Sequence, residues 1–151
     1  MPTEYECSSE LSAVVEEVLG EPEFEALGSH NIKITSCLKI KTDGDGEPVK
    51  SKGDAAQLKK VGPPFSAFID KQFIIVFDSY HWLNFVQRRA AAVHKALMRI
   101  KVQVKDNGDI SVGTRQPDVQ EFTATLRRYG AYNDELAVLM QAAAEINRML
   151  D

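Results

Sequence analysis

The residue whose setting most invites a chemical test is His94, inside the helix-sized stretch Trp82 to Ile100. A helical zinc-hydrolase motif needs H-E-x-x-H. Residues four apart share a helix face, so two imidazoles there can grip one ion while the intervening glutamate polarises its water. Here the frame is His94-Lys95-Ala96-Leu97-Met98. One ligand is kept, the base is a cation and the second ligand is a thioether. Met98 is a soft, weak donor for zinc, and Lys95 carries positive charge where a carboxylate is required. Catalytic zinc ordinarily takes three protein ligands plus a water, and a nearby base must accept that water's proton. The frame supplies neither a full ligand set nor a base, so no catalytic residue, metal ligand or cofactor is expected.

Other chemistry-bearing residues have plainer readings. Asp118 and Glu121, three apart, share a helix face, where Asp118 caps the helix and Glu121 completes a capping box. His30 and His81 have no partner visible in sequence and read as surface or boundary residues. His94 itself reads as a packed or hydrogen-bonded helix histidine. Arg88, Arg89, Lys95 and Arg99 read as a solvated basic face. The Asp43-Gly44-Asp45-Gly46 run lacks the further oxygen ligands and terminal glutamate of a calcium loop, so it is a turn. Walker, dinucleotide-binding and nucleophile-elbow signatures are all missing. Cys7 and Cys37 are too few and too isolated for a zinc cage or disulfide framework.

The elements that must position these residues follow from spacing and punctuation. Ser8 or Ser9 caps a helix with Leu11, Val14, Val15, Val18 and Leu19 on one face, ending near Gly20. The alternation Ile32, Ile34, Ser36, Leu38, Ile40 predicts a strand, and Thr42 to Gly53 a loop. Phe65 to Ile69 and Phe73 to Phe77 predict two neighbouring strands. Asp78 or Ser79 then caps a continuous helix on which Trp82, Phe85, Val86, Ala90, Val93, Leu97 and Ile100 face the sheet. A hairpin follows, from Lys101 to Val112 around Asn107-Gly108. Helices over 118–129 and 133–150 complete an α+β fold, a small sheet packed on a central helix with further N- and C-terminal helices.

The 151 residues are 44% hydrophobic and 26% charged, which is ordinary globular usage and enough for one core, so a single domain over 1–151 is expected. A net charge of -4 with interspersed signs argues against nucleic acid as a direct ligand. No apolar run nears the roughly 20 residues of a spanning helix. Met1-Pro2-Thr3-Glu4 lacks the basic and apolar regions of a secretory signal, so cytoplasm is the expected address and the two cysteines are expected as thiols.

A resemblance extends from about Asn31 to Gly130. The strand-like Phe73 to Asp78, then Trp82, Phe85, Gln87, Arg88, Ala90 and His94, are followed by Pro117-Asp118-Val119-Gln120-Glu121-Phe122 and Arg128-Tyr129-Gly130. This order resembles the phage metallopeptidase family, whose members pair a strand with a W-x-x-L-x-x-x-Q-R-x-A-L-like helix, D-H-E-L-C-H, H-D-x-x-E-F and a trailing R-x-G. Pro117 stands where the family has a histidine. The resemblance implies a zincin-like fold, with Asp118 or Glu121 in the place of a third ligand or its supporting partner. It also implies a protein of phage origin acting in the host cytoplasm.

Loss of ligand and base together points to a catalytically degenerate member that binds a host or phage protein, an inhibitor of an anti-phage defence such as CRISPR being one such role. The alternative is a zinc-dependent hydrolase with its shell rebuilt around His94, Asp118 and Glu121, with His81 recruited. A third reading is an oligomerising scaffold with the C-terminal apolar helix as its contact surface.

Overall fold

The computed structural model describes residues 3–116 together with Thr125, Arg128 and Tyr129. The predicted helices over 118–129 and 133–150, and with them Asp118 and Glu121, lie outside the described residues apart from those three.

The architecture is α+β. Strand β1 (Thr3–Glu6) leads into helix α1 (Ser9–Leu19), a one-turn 3-10 segment (Pro22–Phe24) and the short helix α2 (Glu25–Ser29). Strands β2 (Ile34–Lys41), β3 (Ala56–Lys60) and β4 (Phe73–Asp78) follow, then helices α3 (Ser79–Asn84) and α4 (Arg89–Leu97) and the hairpin of β5 (Ile100–Val104) and β6 (Ile110–Thr114). Four strands form one sheet in the order β1-β2-β4-β3, with β2 and β4 parallel and the flanking pairs antiparallel. The hairpin forms a separate two-stranded sheet.

Helix α1 forms as its sequence dictates. The Ser8 hydroxyl accepts from the Leu11 amide at 3.2 Å, and Leu11, Val15 and Val18 are buried. Strand β4 alternates with period two, so Phe73, Ile75 and Phe77 all enter the core. In the β2–β4 register Ile34, Ser36 and Leu38 lie beside them. Val93, Ala96 and Leu97 of α4 join this core with Leu11, Val18 and Trp82. Each large apolar side chain so buried contributes about 1.5–3 kcal/mol.

The hairpin is as expected: Gly108 takes the left-handed φ of 88° that the turn needs. The Thr42 to Gly53 loop is likewise a turn, in which Asp43 Oδ1 accepts from the amides of Asp45 and Glu47 at 2.9 and 3.0 Å.

Two predicted elements need correction. Phe65 to Ile69 is not a strand: Phe65–Ala67 forms a 3-10 turn, and Phe65, Phe68 and Ile69 are exposed. Gly62-Pro63-Pro64 precedes it, and prolines cannot donate to a ladder. The partner of β4 on that side is β3, whose Ala56 is buried and Leu58 half-buried while Lys59 and Lys60 are exposed.

The central helix is also interrupted. Phe85, at φ -128° and ψ 61°, separates α3 from a 3-10 turn (Val86–Arg88) and α4. Side chains satisfy the carbonyls exposed by the break. Asn84 Nδ2 donates to Tyr80 O at 2.8 Å, and Arg89 Nε and Nη2 donate to Trp82 O at 2.9 and 2.6 Å. The Arg89 guanidinium also lies 3.7 Å from the centre of the Trp82 ring, which stands nearly perpendicular to Phe77 with their centroids 5.3 Å apart. Val86 is therefore exposed rather than core, and Ile100 opens β5.

Candidate metal centre

His94 lies wholly buried in α4. Its ring makes edge-type contacts with Phe24 and Tyr129, the ring centroids lying 5.0 and 5.3 Å away. Nδ1 lies 2.6 Å from Thr125 Oγ1. Nε2 faces Glu23 Oε2 at 3.4 Å and Glu21 Oε2 at 3.8 Å.

The two glutamates come to the histidine because α1 stops at Gly20 and Pro22 starts a tight turn. Phe24 and Leu27, both buried, pin that turn to the core and leave the carboxylates on either side of Pro22 beside the imidazole. Among the described residues, Glu21, Glu23 and His94 are the group spaced to share an ion, with their donor atoms within 4.8 Å of one another.

Arg128 sits on the same carboxylates. Its Nη2 donates to Glu23 Oε1 at 2.6 Å and its Nε to Glu23 Oε2 at 3.2 Å, while Nε also contacts Glu21 Oε2. With that N–H directed at Glu23, Glu21 Oε2 is buried and accepts no hydrogen bond. Tyr129 donates its hydroxyl to Glu21 Oε1 at 2.8 Å.

Protonation follows from these contacts. The Arg128 hydrogen bonds hold the Glu23 carboxyl below its ordinary range and in turn raise the Arg128 guanidinium. Burial pushes the His94 imidazole down, against the opposing pull of Glu23 and Glu21. Burial and the bond to Glu21 push the Tyr129 phenol up. Arg128 thus favours the ionised form of Glu23, and burial favours the neutral form of the His94 imidazole.

The donors fit a borderline transition metal. Two carboxylate oxygens and an imidazole nitrogen are common zinc ligands, and a tetrahedral centre with bonds of about 2.0–2.2 Å separates its donors by roughly 3.3–3.6 Å. The distances of 3.4 and 3.8 Å from His94 Nε2 are close to that spacing. The charge balance fits less well, because Arg128 already places a cation on the oxygens an ion would use. Thr125 can serve His94 in either state, since a hydroxyl both accepts from Nδ1–H and donates to a bare Nδ1.

A family model described as "Putative phage metallopeptidase" matches residues 3–144, so the chain belongs to that family. Comparison with curated proteins and with solved structures gave no match.

The other residues singled out in the sequence are placed as follows. Lys95 does not face the His94 cluster. Its Nζ pairs with Asp54 Oδ1 at 3.2 Å, Arg99 reaches Asp54 Oδ2 at 3.6 Å, and Lys95 is buried rather than on a solvated face. Met98 caps α4 and, with Glu23, Phe24, Leu97, Lys101 and Arg115, lines a cleft of about 310 Å³. His81 is neither partnerless nor recruited to His94: its Nδ1 lies 2.6 Å from the buried Asp78 Oδ2. Asp78 consequently begins α3 without a side-chain capping bond.

Glu21 and Glu23 are the residues that sequence reasoning missed. Charged residues after a helix stop look like an ordinary solvated turn. The available signal was the apolar pair Phe24 and Leu27, three apart, which buries that turn.

Proposed function

We propose that this member of the phage metallopeptidase family is catalytically degenerate and acts by binding another protein. The observation that carries the reading is the direction of Lys95. It occupies the position of the motif's base, and its ammonium is spent on Asp54, so α4 offers no proton acceptor beside His94. The carboxylates that do reach His94 are engaged by Arg128. Protein binding is supported by Phe65, Phe68 and Ile69, apolar side chains exposed together on the turn between β3 and β4. A host or phage protein is the partner class, and a component of an anti-phage defence such as a CRISPR effector suits a phage-family protein.

The test pairs two measurements. Purified protein incubated with an unfolded polypeptide and zinc or manganese gives no cleavage above that of His94→Ala. Complexes isolated from infected host cells contain one partner at a fixed ratio and lose it with Phe68→Asp. Metal-dependent cleavage abolished by His94→Ala sinks the reading.

A second reading, a metal-dependent hydrolase built around His94, is favoured by the 3.4 and 3.8 Å approach of Glu23 and Glu21 to Nε2. The same cleavage assay separates the two.

A further inference from the structure

We infer that Glu21, Glu23 and His94 form a latent transition-metal site whose cation position is filled by the guanidinium of Arg128. This rests on the reading of the site above and deepens it, by naming the device that keeps the ion out.

Three observations carry the inference. The donor atoms sit at near-coordination spacing, with Nε2 of a fully buried ring aimed at both carboxylates. Glu21 Oε2 is buried and accepts no hydrogen bond, so Arg128 neutralises this oxygen without satisfying it. Finally, the partners beyond the donors are of the kind that orient metal ligands: Thr125 on His94 Nδ1 and the Tyr129 hydroxyl on Glu21 Oε1.

A planar guanidinium matches one carboxylate with two parallel bonds, here to Glu23, and unlike a metal ion it offers no coordination position to an imidazole nitrogen. A zinc ion would use all three donors. An ion and Arg128 cannot share these oxygens without placing two cations in contact, so removing the arginine charge should open the site.

The experiment is zinc titration calorimetry with elemental analysis on the untagged full chain, its Arg128→Gln and Arg128→Lys variants, and Arg128→Gln combined with His94→Gln. Cobalt absorption reports the geometry. Wild type is expected to bind zinc weakly. Arg128→Gln should bind one equivalent about 100-fold or more tightly than wild type, with tetrahedral cobalt bands. Arg128→Lys, whose ammonium lacks the bidentate fork, should fall between them. The His94→Gln addition should abolish the gain.

The inference is overturned if wild type already binds one zinc tightly. It is also overturned if neither arginine variant gains affinity, or if the gain survives His94→Gln. Should Arg128→Gln fail to fold, Arg128→Lys decides alone, and an affinity equal to that of wild type sinks the idea. Cleavage by the wild-type protein would instead refute the proposed function, so the two failures are separable.

Discussion

Thr125 Oγ1 lies 2.6 Å from His94 Nδ1 and thereby sets which nitrogen of a fully buried ring meets the carboxylates. The partners are 31 residues apart in the chain, so the site is assembled by tertiary contact rather than by the α4 sequence alone.

Replacing Thr125 with valine keeps the shape and removes the hydroxyl. Nδ1 is then buried without a partner, at an expected cost of about 1–3 kcal/mol in urea unfolding. Thr125→Ser should retain most of the stability. Equal losses in both variants would show that the methyl packing, and not the hydrogen bond, matters at this position.

The same site should make the protein acid-sensitive in two steps. Burial holds the His94 imidazole below its ordinary value of 6.5, so the unfolded chain takes up that proton first and stability falls as pH drops below 6.5. The Arg128 bonds hold Glu23 below 4.5, so its contribution is present above that pH and is lost as pH falls through the lowered value. Melting temperatures by circular dichroism at pH 7.5, 6, 5 and 4 should decline accordingly, and His94→Gln should flatten the step below 6.5. A wild-type melting temperature that rises between pH 7 and 5, relative to His94→Gln, would mean that the ring is charged in place by its glutamates.

Lys95→Glu restores the motif's residue type in a setting that opposes it. The new carboxylate would face Asp54, so the variant should lose roughly 1–3 kcal/mol and gain no hydrolytic activity. Asp54→Lys in the same background should recover stability. Zinc-dependent cleavage by Lys95→Glu would show that α4 can present a working base after all.

The Asp78–His81 pair gives a prediction independent of the metal centre. Asp78→Ala leaves His81 Nδ1 and the Ser51 amide without their acceptor, at an expected cost of about 2–3 kcal/mol. His81→Ala should cost as much or less in the same denaturation experiment. A negligible loss in Asp78→Ala would mean that solvent replaces the carboxylate without penalty.

These residues also show what the chain reveals in one dimension. Helix α1 was legible because its cap and apolar stripe are local, and the hairpin because Gly108 announces its turn. Strand β3 was not, since only Ala56 and Leu58 turn inward and two lysines finish it. Phe65 to Ile69 misled because strand propensity says nothing about whether a paired backbone is available. Family membership could be read from the order of Trp82, Gln87, His94 and Arg128. The contacts of Glu21 and Glu23 with His94 could not, because they span about seventy residues and no periodicity encodes them.

Trp82 is the single indole of this chain, and it lies buried beneath Arg89 and nearly perpendicular to the Phe77 ring. Its emission spectrum is consequently a label-free optical gauge of the joint between α3 and α4. Loosening of the helix that carries His94 should register as a red shift in that one signal, without any added dye.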